Sequence, residues 1–214
     1  MEIEAKFAVP DEATWLRLQS IEQVAGYALS VGKLKQVHDT FMDTPTRDIL
    51  LSRHVCRKRE VDGQIVMTVK SNQQVVGAVH RREELEVTLP YEMPIGQWPP
   101  SEIRDRLLSL IGDVPLTPLF DQHQVRFVRW ASHTVSAERR RAGQGDRVVA
   151  EMSVDKVELS IKGRTQSYFE VEFELKDAGT EDDLAKIEAC LIEEWGLTPE
   201  PRSKFARARD LAGV

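Results

Sequence analysis

Charged side chains alternate with apolar ones in several short segments, beginning at the second residue of the sequence. Glu2, Glu4 and Lys6 are separated by single apolar residues, and Arg57 and Arg59 have the same spacing. Arg82, Glu84 and Glu86 form another such set, as do Glu170, Glu172 and Glu174, and Lys70 ends a further alternating segment. Because successive side chains of a β-strand point to opposite faces, each set lies on one face of a strand. Carboxylates bind divalent cations, and ammonium and guanidinium groups bind phosphate oxygens.

Two structures are compatible with this alternation. If the strands close into a barrel with the charged faces inward, the interior holds clustered charges, which is costly unless they are paired or hold a ligand. A polyphosphate with a divalent metal ion would satisfy both the carboxylates and the cations. Alternatively, the charged faces are the solvated side of a helix-backed sheet, where cross-strand pairs contribute roughly a few tenths of a kcal/mol each.

The secondary structure that must position these residues follows from the spacing of apolar residues, which differs between strands and helices. Asp11 is a predicted N-cap, and Asp62-Gly63 predicts a hairpin. The predicted strands are residues 1–7, 35–42, 54–60, 64–70, 81–89, 124–135, 147–157 and 167–175. The predicted helices are residues 11–27, 47–51, 101–111, 180–195 and 203–211.

The length of 214 residues is that of one domain, so we expect a single domain over residues 1–214. Two strand-rich halves, at about residues 1–89 and 119–214, are joined by a helical connection at residues 90–118 that is rich in Pro and Gly. This organisation favours an α+β fold in which the two halves close on each other as a barrel, with helices packed outside.

The composition argues against several classes of protein. The formal net charge is −6, whereas general nucleic-acid binding usually needs a net basic surface. Cys56 and Cys190 are far apart and lack a CxxC partner, so we expect reduced thiols and neither a disulfide framework nor a zinc site. The sequence has no apolar run of signal-peptide length, nor the roughly 20 apolar residues that span a bilayer. We expect a soluble, cytoplasmic protein that binds neither nucleic acid nor membrane.

Two other groups of polar residues predict no site of their own. The five histidines lack HxxxH or HxH spacing and are expected to be ordinary polar residues. The basic run at residues 139–141 could reach a phosphate, but a charge run in a hairpin loop is usually solvated.

The motif Glu2-x-Glu4-x-Lys6 resembles the ExExK signature of the CYTH superfamily, the triphosphate tunnel metalloenzymes. This superfamily includes class IV adenylate cyclases, thiamine triphosphatases and inorganic triphosphatases. The resemblance continues in chain order through residues 39–44, 57–59, 68–70, 82–86, 170–172 and 203–207, and so covers nearly the whole chain. It implies a closed eight-stranded antiparallel β-barrel whose polar interior is a tunnel for a triphosphate, with Mg²⁺ or Mn²⁺ as cofactor.

Carried over residue by residue, the resemblance implies three overlapping sets of functional residues. The implied metal ligands are Glu2, Glu4, Glu84, Glu170 and Glu172. The implied phosphate-binding residues are Lys6, Arg57, Arg59, Lys70, Arg82, Arg126 and Lys204. The implied catalytic residues are Glu4, Glu86 and Lys204. Which of Glu84 and Glu86 serves the metal and which the attacking water stays open.

Four further positions are affected by the resemblance. Arg126 and Arg129 are three residues apart and therefore lie on opposite faces of a strand; we place Arg126 inside and Arg129 on the surface. Asp155 resembles a recurrent aspartate of the family, and we expect it to face inward with Glu151 and Ser153. Phe41 stands where the family often has Tyr, so any role of that hydroxyl is absent here. The glycine common before the paired arginines is also replaced, by the segment 53–55.

Metal-dependent hydrolysis of a small triphosphate is therefore the function that we expect. The substrate would be tripolyphosphate, or a nucleoside or thiamine triphosphate. The alternatives are an adenylate cyclase that forms cyclic AMP from ATP, and a non-catalytic module that binds polyphosphate or nucleotide. A homodimer is compatible with the acidic sequence and the predicted outer helices.

Overall fold

The computed structural model describes residues 1–71, 74–133, 146–161, 163–176 and 178–213, so the basic run at residues 139–141 lies outside the described residues. The strands are β1 (Glu2–Val9), β2 (Gln23–Val24), β3 (Tyr27–Leu29), β4 (Lys33–Asp43), β5 (Val55–Val61), β6 (Gln64–Lys70), β7 (Gln74–Val76), β8 (Val79–Arg82), β9 (Glu84–Leu89), β10 (Thr117–His133), β11 (Arg147–Ile161), β12 (Arg164–Leu175) and β13 (Thr198–Pro199). The helices are α1 (Glu12–Ser20), α2 (Asp48–Leu51), α3 (Glu102–Ile111), α4 (Glu181–Glu193) and α5 (Lys204–Ala212), with a 3₁₀ turn at Ile95–Gln97. Within this described part, no helix is long and apolar enough to cross a membrane.

One antiparallel sheet of 13 strands contains all the strands, and its main path runs β7-β8-β1-β12-β11-β10-β4-β5-β6-β9. The α+β class and the antiparallel pairing are as predicted. The closed eight-stranded barrel is wrong, because the path of paired strands has two free ends and three short strands, β2, β3 and β13, lie off this path.

The opening of the sheet lies within the segment that was predicted as one strand at residues 81–89. The chain instead forms β8, which pairs with β1, and β9, which pairs with β6, and only Glu83 separates them. Ser71 bonds to both backbone groups of Glu83: the Ser71 amide donates to the Glu83 carbonyl at 3.1 Å, and the Glu83 amide donates to Ser71 Oγ at 3.2 Å. The β7–β8 end of the path is therefore joined to the β9 end by the chain itself rather than by a continuous ladder.

The apolar faces of the strands point outward and are covered by helices. Phe7 of β1 and Phe173 of β12 pack with Leu18 of α1 and Leu184 of α4, and all four are buried. A second cluster packs α3, through residues such as Leu107, against β5, β6 and β9. This packing leaves the polar faces of the same strands on the inside, which agrees with the interpretation in which the charged faces point inward.

Helix α5 differs from the others because it packs against the inner face of the sheet, which corrects the prediction that all helices lie outside. Beyond Asp155 the inward positions of β11 become apolar, and Val157, Leu159 and Ile161 are buried with Ala208 of α5. These apolar side chains would be exposed at one end of the cavity without the helix. Burial of apolar surface therefore fixes α5 across that end.

The helix predicted at residues 11–27 is wrong in its second half. It begins at the Asp11 N-cap, which accepts from the Thr14 amide at 2.7 Å, but it ends at Ser20. A short hairpin of β2 and β3 follows, and its turn residues Ala25 and Gly26 both have positive φ. Such a pair is typical of tight hairpin turns.

Arg129 holds this hairpin in place and is buried, so its predicted surface position is wrong. Its guanidinium donates to the backbone carbonyls of Ser30 at 2.6 Å, Leu29 at 3.2 Å and Gln19 at 3.3 Å, and also to that of Ile21. A buried guanidinium needs acceptors, and an irregular segment with unpaired carbonyls supplies them. Arg129 is therefore a structural residue on the outer face.

Candidate active site

The inner face of the curled sheet encloses a cavity of about 680 Å³. This volume lies within the range of small-molecule sites. Eleven lysine and arginine side chains line the cavity: Lys6, Lys35, Arg53, Arg57, Arg59, Lys70, Arg82, Arg126, Lys176, Lys204 and Arg209. All seven residues predicted to bind phosphate are among them.

The first group of these cations lies around the N-terminal motif. Lys6 Nζ is 2.9 Å from Glu172 Oε1 and 3.5 Å from Glu4 Oε1. Arg82 Nε donates to Glu2 Oε2 at 2.5 Å, and Arg82 Nη2 lies 3.3 Å from Glu4 Oε1. Each of these cations is thus already paired with a glutamate that was predicted to bind metal.

Lys70 joins this group from the other side of the cavity. Its ammonium lies 3.0 Å from Glu2 Oε1 and 3.0 Å from Glu84 Oε2. Since Lys70 is on β6 and Glu2 is on β1, the contact spans the opening of the sheet. Burial lowers the pKa of Lys70, and the neighbouring charges of Arg82 and Arg57 lower it further.

A second group of cations surrounds Asp39, which is fully buried. Arg59 donates to both carboxylate oxygens of Asp39, at 2.7 and 2.9 Å, and Gln124 Nε2 donates to Oδ2 at 2.6 Å. Arg57 Nη1 lies 3.9 Å from the same oxygen. Burial alone would raise the pKa of Asp39, but Arg59 and Arg57 hold it well below its usual value. Asp39 is therefore charged and orients both arginines.

Arg126 faces the cavity, as predicted, and links the second group to the carboxylates of β11 and β12. Its guanidinium lies 3.3 Å from Asp155 Oδ2, 3.6 Å from Glu172 Oε2 and 3.8 Å from Glu151 Oε1. Burial opposes the charge, but these three carboxylates raise the pKa of Arg126 above its usual value.

Three buried carboxylates, of Asp155, Glu170 and Glu172, form a cluster in which one oxygen of each lies within 4.8 Å of the others. Lys204, the first residue of α5, reaches into it: its ammonium is 3.1 Å from Asp155 Oδ2 and 2.9 Å from Glu172 Oε1, and it also contacts Glu170 Oε1. Ser203 caps the helix by accepting from the Ala206 amide at 3.1 Å. The cap fixes the helix end from which Lys204 enters the cluster.

The cluster has the chemistry of a divalent-cation site. Glu170 Oε2 and Asp155 Oδ1 are buried without a hydrogen-bond partner among the described residues, whereas Glu170 Oε1 contacts the Lys204 ammonium. Burial raises the pKa of Glu170, whereas Lys204 and Lys6 outweigh burial and hold the pKa of Glu172 well below its usual value. Buried, underused carboxylate oxygens are suited to a hard metal ion. The residues therefore fit the implied cofactor.

The structure does not bring the implied metal ligands together as one set. Four of them line the cavity, namely Glu2, Glu4, Glu84 and Glu172, whereas Glu170 lies beneath Lys204 and does not line it. In the β1–β12 register, Glu4 is opposite Glu174, and Lys6 is opposite Glu172. The implied ligands thus lie partly on the cavity wall and partly in the buried cluster, and Glu172 belongs to both.

Glu84 and Glu86 both line the cavity wall on β9. Glu84 is largely buried against Lys70, whereas Glu86 is half exposed and accepts from Thr68 Oγ1 at 2.8 Å. Exposure to solvent makes Glu86 the more accessible of the two to a water molecule.

Two acidic residues of the polar interior received no role in the sequence analysis. Asp39 was noted only as part of a motif, and Glu174 only as part of an alternating face, yet both contribute to the polar interior. For Asp39 the available signal was its two-residue spacing from Val37 and Phe41, which puts the three side chains on one face of β4. The phenyl ring of Phe41, where the family often has Tyr, instead packs edge-on against Phe205 of α5, with ring centroids 5.2 Å apart.

Several solved structures share the fold. A protein from Hippeastrum, described as an adenylyl cyclase candidate with a dominant triphosphatase activity, is 21% identical with a TM-score of 0.66 over 98% of this chain and 96% of that one. An adenylate cyclase candidate from Bacillus halodurans is 18% identical with a TM-score of 0.58, over 97% of this chain and 96% of that one. A protein of Pyrococcus horikoshii is 16% identical with a TM-score of 0.55, over 98% and 99%.

Sequence comparison gives two further findings. No curated protein matches the chain significantly. The family model of the CYTH domain matches residues 1–208, which is nearly the whole sequence. The chain belongs to the CYTH domain family.

Proposed function

We propose that this protein hydrolyses the terminal phosphoanhydride bond of a small triphosphate with the help of Mg²⁺ or Mn²⁺. The observation that carries the proposal is the cavity in which seven cations, from Lys6 to Lys204 along the chain, face a comparable set of carboxylates. Cations alone would suit any anion, and carboxylates alone would suit any metal ion. Both together suit a phosphate compound that carries a divalent cation.

The chain's own residues would do the following. Lys6, Arg57, Arg59 and Lys70 would hold the phosphate oxygens in place and offset the charge that develops on the transferred and leaving groups. Glu86 would accept a proton from the attacking water, whose oxygen bonds to the terminal phosphorus as the P–O bond of the anhydride breaks. Orthophosphate and the shortened chain are the products.

The carboxylates would hold the metal ion. Glu2 and Glu4 would bind it from the cavity, and Asp155, Glu170 and Glu172 offer a second set of oxygens. A bound divalent ion polarises phosphoryl oxygens and neutralises charge in phosphoryl transfer. Lys204, which lies among the second set, would contribute positive charge at the same end of the cavity.

An assay of phosphate release tests the proposal. Tripolyphosphate, ATP and thiamine triphosphate would each be incubated with Mg²⁺ and with Mn²⁺, and cyclic AMP would be measured in parallel. Release of orthophosphate is the expected result. Cyclic AMP and pyrophosphate from ATP would support a cyclase instead, and tight binding without any product would support a non-catalytic module.

The variant Glu4→Ala tests the site itself. Its turnover should fall below detection while its circular dichroism spectrum stays native. The matched control is Glu158→Ala, which removes an exposed glutamate from the outer face of β11 and should leave turnover unchanged. Phosphate release by Glu4→Ala at the wild-type rate would refute the metal assignment.

A further inference from the structure

Two arginines at one end of the cavity differ from all its other cations. Nine of the eleven cavity lysines and arginines have carboxylate partners within 4 Å. The guanidinium groups of Arg53 and Arg209 have neither an ion-pair nor a hydrogen-bond partner among the residues that the structure describes. Both residues are exposed. They are the uncompensated positive charges of an otherwise balanced cavity.

Both arginines lie at the end where α5 enters. Arg209 is one helical turn after Phe205, whose ring packs on Phe41. Arg53 lies in the turn between α2 and β5, two residues before the strand, and the ladder of β4 and β5 pairs Phe41 with Arg57 at that end of the strands. Arg53 and Arg209 therefore line the same mouth of the cavity, one from the turn before β5 and one from α5.

The opposite end of the cavity is built differently. Lys35 lies 3.6 Å from Asp62, which it shares with Lys33, and Lys176 lies 2.6 Å from Glu174, so both basic residues that line this end have a carboxylate partner. An anion in the middle of the cavity is thus attracted further toward the α5 end, where Arg53 and Arg209 have no carboxylate partner among the described residues. A neutral nucleoside at the α5 end would leave both guanidinium groups unpaired, and the cationic ring of thiamine would be repelled by them.

We propose that Arg53 and Arg209 form a subsite for a phosphate group beyond the three that the interior cations hold, so that the protein prefers linear polyphosphates of four or more phosphates to triphosphate. Guanidinium groups bind phosphate oxygens in a bidentate manner, and two of them can share one phosphate. The inference rests on the proposed function because it extends the same cavity.

Calorimetry with non-hydrolysable ligands tests the subsite. Methylene-bridged analogues of triphosphate and tetraphosphate would be titrated into wild type and into the double variant Arg53→Gln/Arg209→Gln, with Mg²⁺ at low ionic strength. Wild type should bind the tetraphosphate analogue about tenfold more tightly, at about threefold per arginine. The double variant should lose this preference, while its affinity for the triphosphate analogue changes less than about twofold.

Three controls accompany the titration. Arg164→Gln removes an exposed arginine that does not line the cavity and should keep the tenfold preference. Arg53→Lys/Arg209→Lys keeps both charges and should retain part of the preference. The thermal midpoint of each variant should stay near that of wild type, because both arginines are exposed.

Several outcomes would overturn the subsite. An equal loss of affinity for both analogues would mean that the arginines only attract anions to the mouth, and an unchanged preference would mean that they do not hold the additional phosphate. If orthophosphate inhibits the double variant less than wild type, while the preference for the tetraphosphate analogue is intact, the two arginines bind the orthophosphate product instead. A wild type that releases no phosphate, yet shows the arginine-dependent preference, would refute the hydrolysis and leave the subsite standing.

Discussion

Replacing Asp39 by Asn should destabilise the ligand-free protein far more than a change of one atom suggests. Asp39 is fully buried and neutralises Arg59 through two hydrogen bonds, with Arg57 nearby. An asparagine of the same shape offers one acceptor oxygen and no charge. The two arginines would then face each other without their shared counter-charge.

The magnitude follows from the surroundings of the pair. Breaking a buried ion pair costs about 3–5 kcal/mol. The side chains of Arg57 and Arg59 retain 13% and 16% exposure, and Arg57 keeps more distant contacts to Glu84 and Glu86, so we take the lower end, about 3 kcal/mol. For a chain of 150–250 residues each kcal/mol shifts the thermal midpoint by about 2–4 °C, so Asp39→Asn should lower it by about 6–12 °C.

Thermal unfolding with and without tripolyphosphate is the assay. The ligand brings negative charge to the same arginines, so it should raise the midpoint of Asp39→Asn more than that of wild type. Because the folded pKa of Asp39 is depressed, the wild-type advantage should be present above the unfolded value of about 3.9 and should be lost as the pH falls below it.

The control for this experiment is Asp121→Asn. Asp121 is half exposed and accepts from His38 and Thr40, so its replacement should cost less than about 1 kcal/mol. A midpoint of Asp39→Asn within about 2 °C of wild type would refute the view that Asp39 stabilises the arginines. Equal stabilisation of both proteins by tripolyphosphate would refute the view that the arginines meet the ligand.

Two further predictions concern residues outside the cavity. Asp183→Ala should lower the free energy of unfolding in urea by roughly 2–4 kcal/mol, because it removes the capping box with Thr180 and leaves the buried hydroxyl of Tyr27, which donates to Asp183 at 2.6 Å, without its acceptor. The control Asp182→Ala changes an exposed residue of the same turn and should cost far less; equal costs would contradict the role of Asp183. The Cys56 thiol is buried, and burial, with Asp43, raises its pKa to about 12, so it should resist alkylation at pH 8 until the protein is unfolded; rapid labelling of the native protein at Cys56, measured by mass spectrometry of its peptide, would contradict this.

The identity of the inward residues could be predicted from the sequence because a strand has a strict period of two. Once Glu2 and Lys6 are assigned to one face, their neighbours must face the helices, and the structure has this arrangement. The same reasoning placed Arg126 inside and Arg129 on the outer face. It failed for Arg129 only because we assumed that a residue on the outer face is exposed to solvent. Arg129 is buried because a hairpin folds over it, and that hairpin was hidden inside a predicted helix.

The pairing of inward residues could not be predicted, because it depends on register between strands that are distant in sequence. Asp39 meets Arg59 because the β4–β5 ladder pairs these two positions. Glu4 meets Glu174 rather than Glu170 because of the β1–β12 ladder. The interruption between β8 and β9 at Glu83 was equally hidden, since the backbone of Glu83 bonds to Ser71 in another segment of the chain. A periodicity contains information about faces but none about these partners.

The ion pairs of the cavity bear on how its ligands must bind. A triphosphate that entered alone would bring negative charge next to Glu2, Glu4 and Glu172, and it would have to displace them from Lys70, Arg82 and Lys6. Carboxylates left unpaired in a buried site cost several kcal/mol each, about as much as the new phosphate contacts would contribute. A divalent cation offsets the displaced carboxylates and so releases the lysines and arginines for phosphate.

A cavity lined by cations alone would bind triphosphate without metal, but the mutual repulsion of its buried charges would destabilise the free protein. The carboxylates remove that repulsion, and they are also the groups that would hold the metal ion. On this reasoning the stability of the free protein and the dependence of triphosphate binding on metal have one cause, the pairing of the inward glutamates with the inward lysines and arginines.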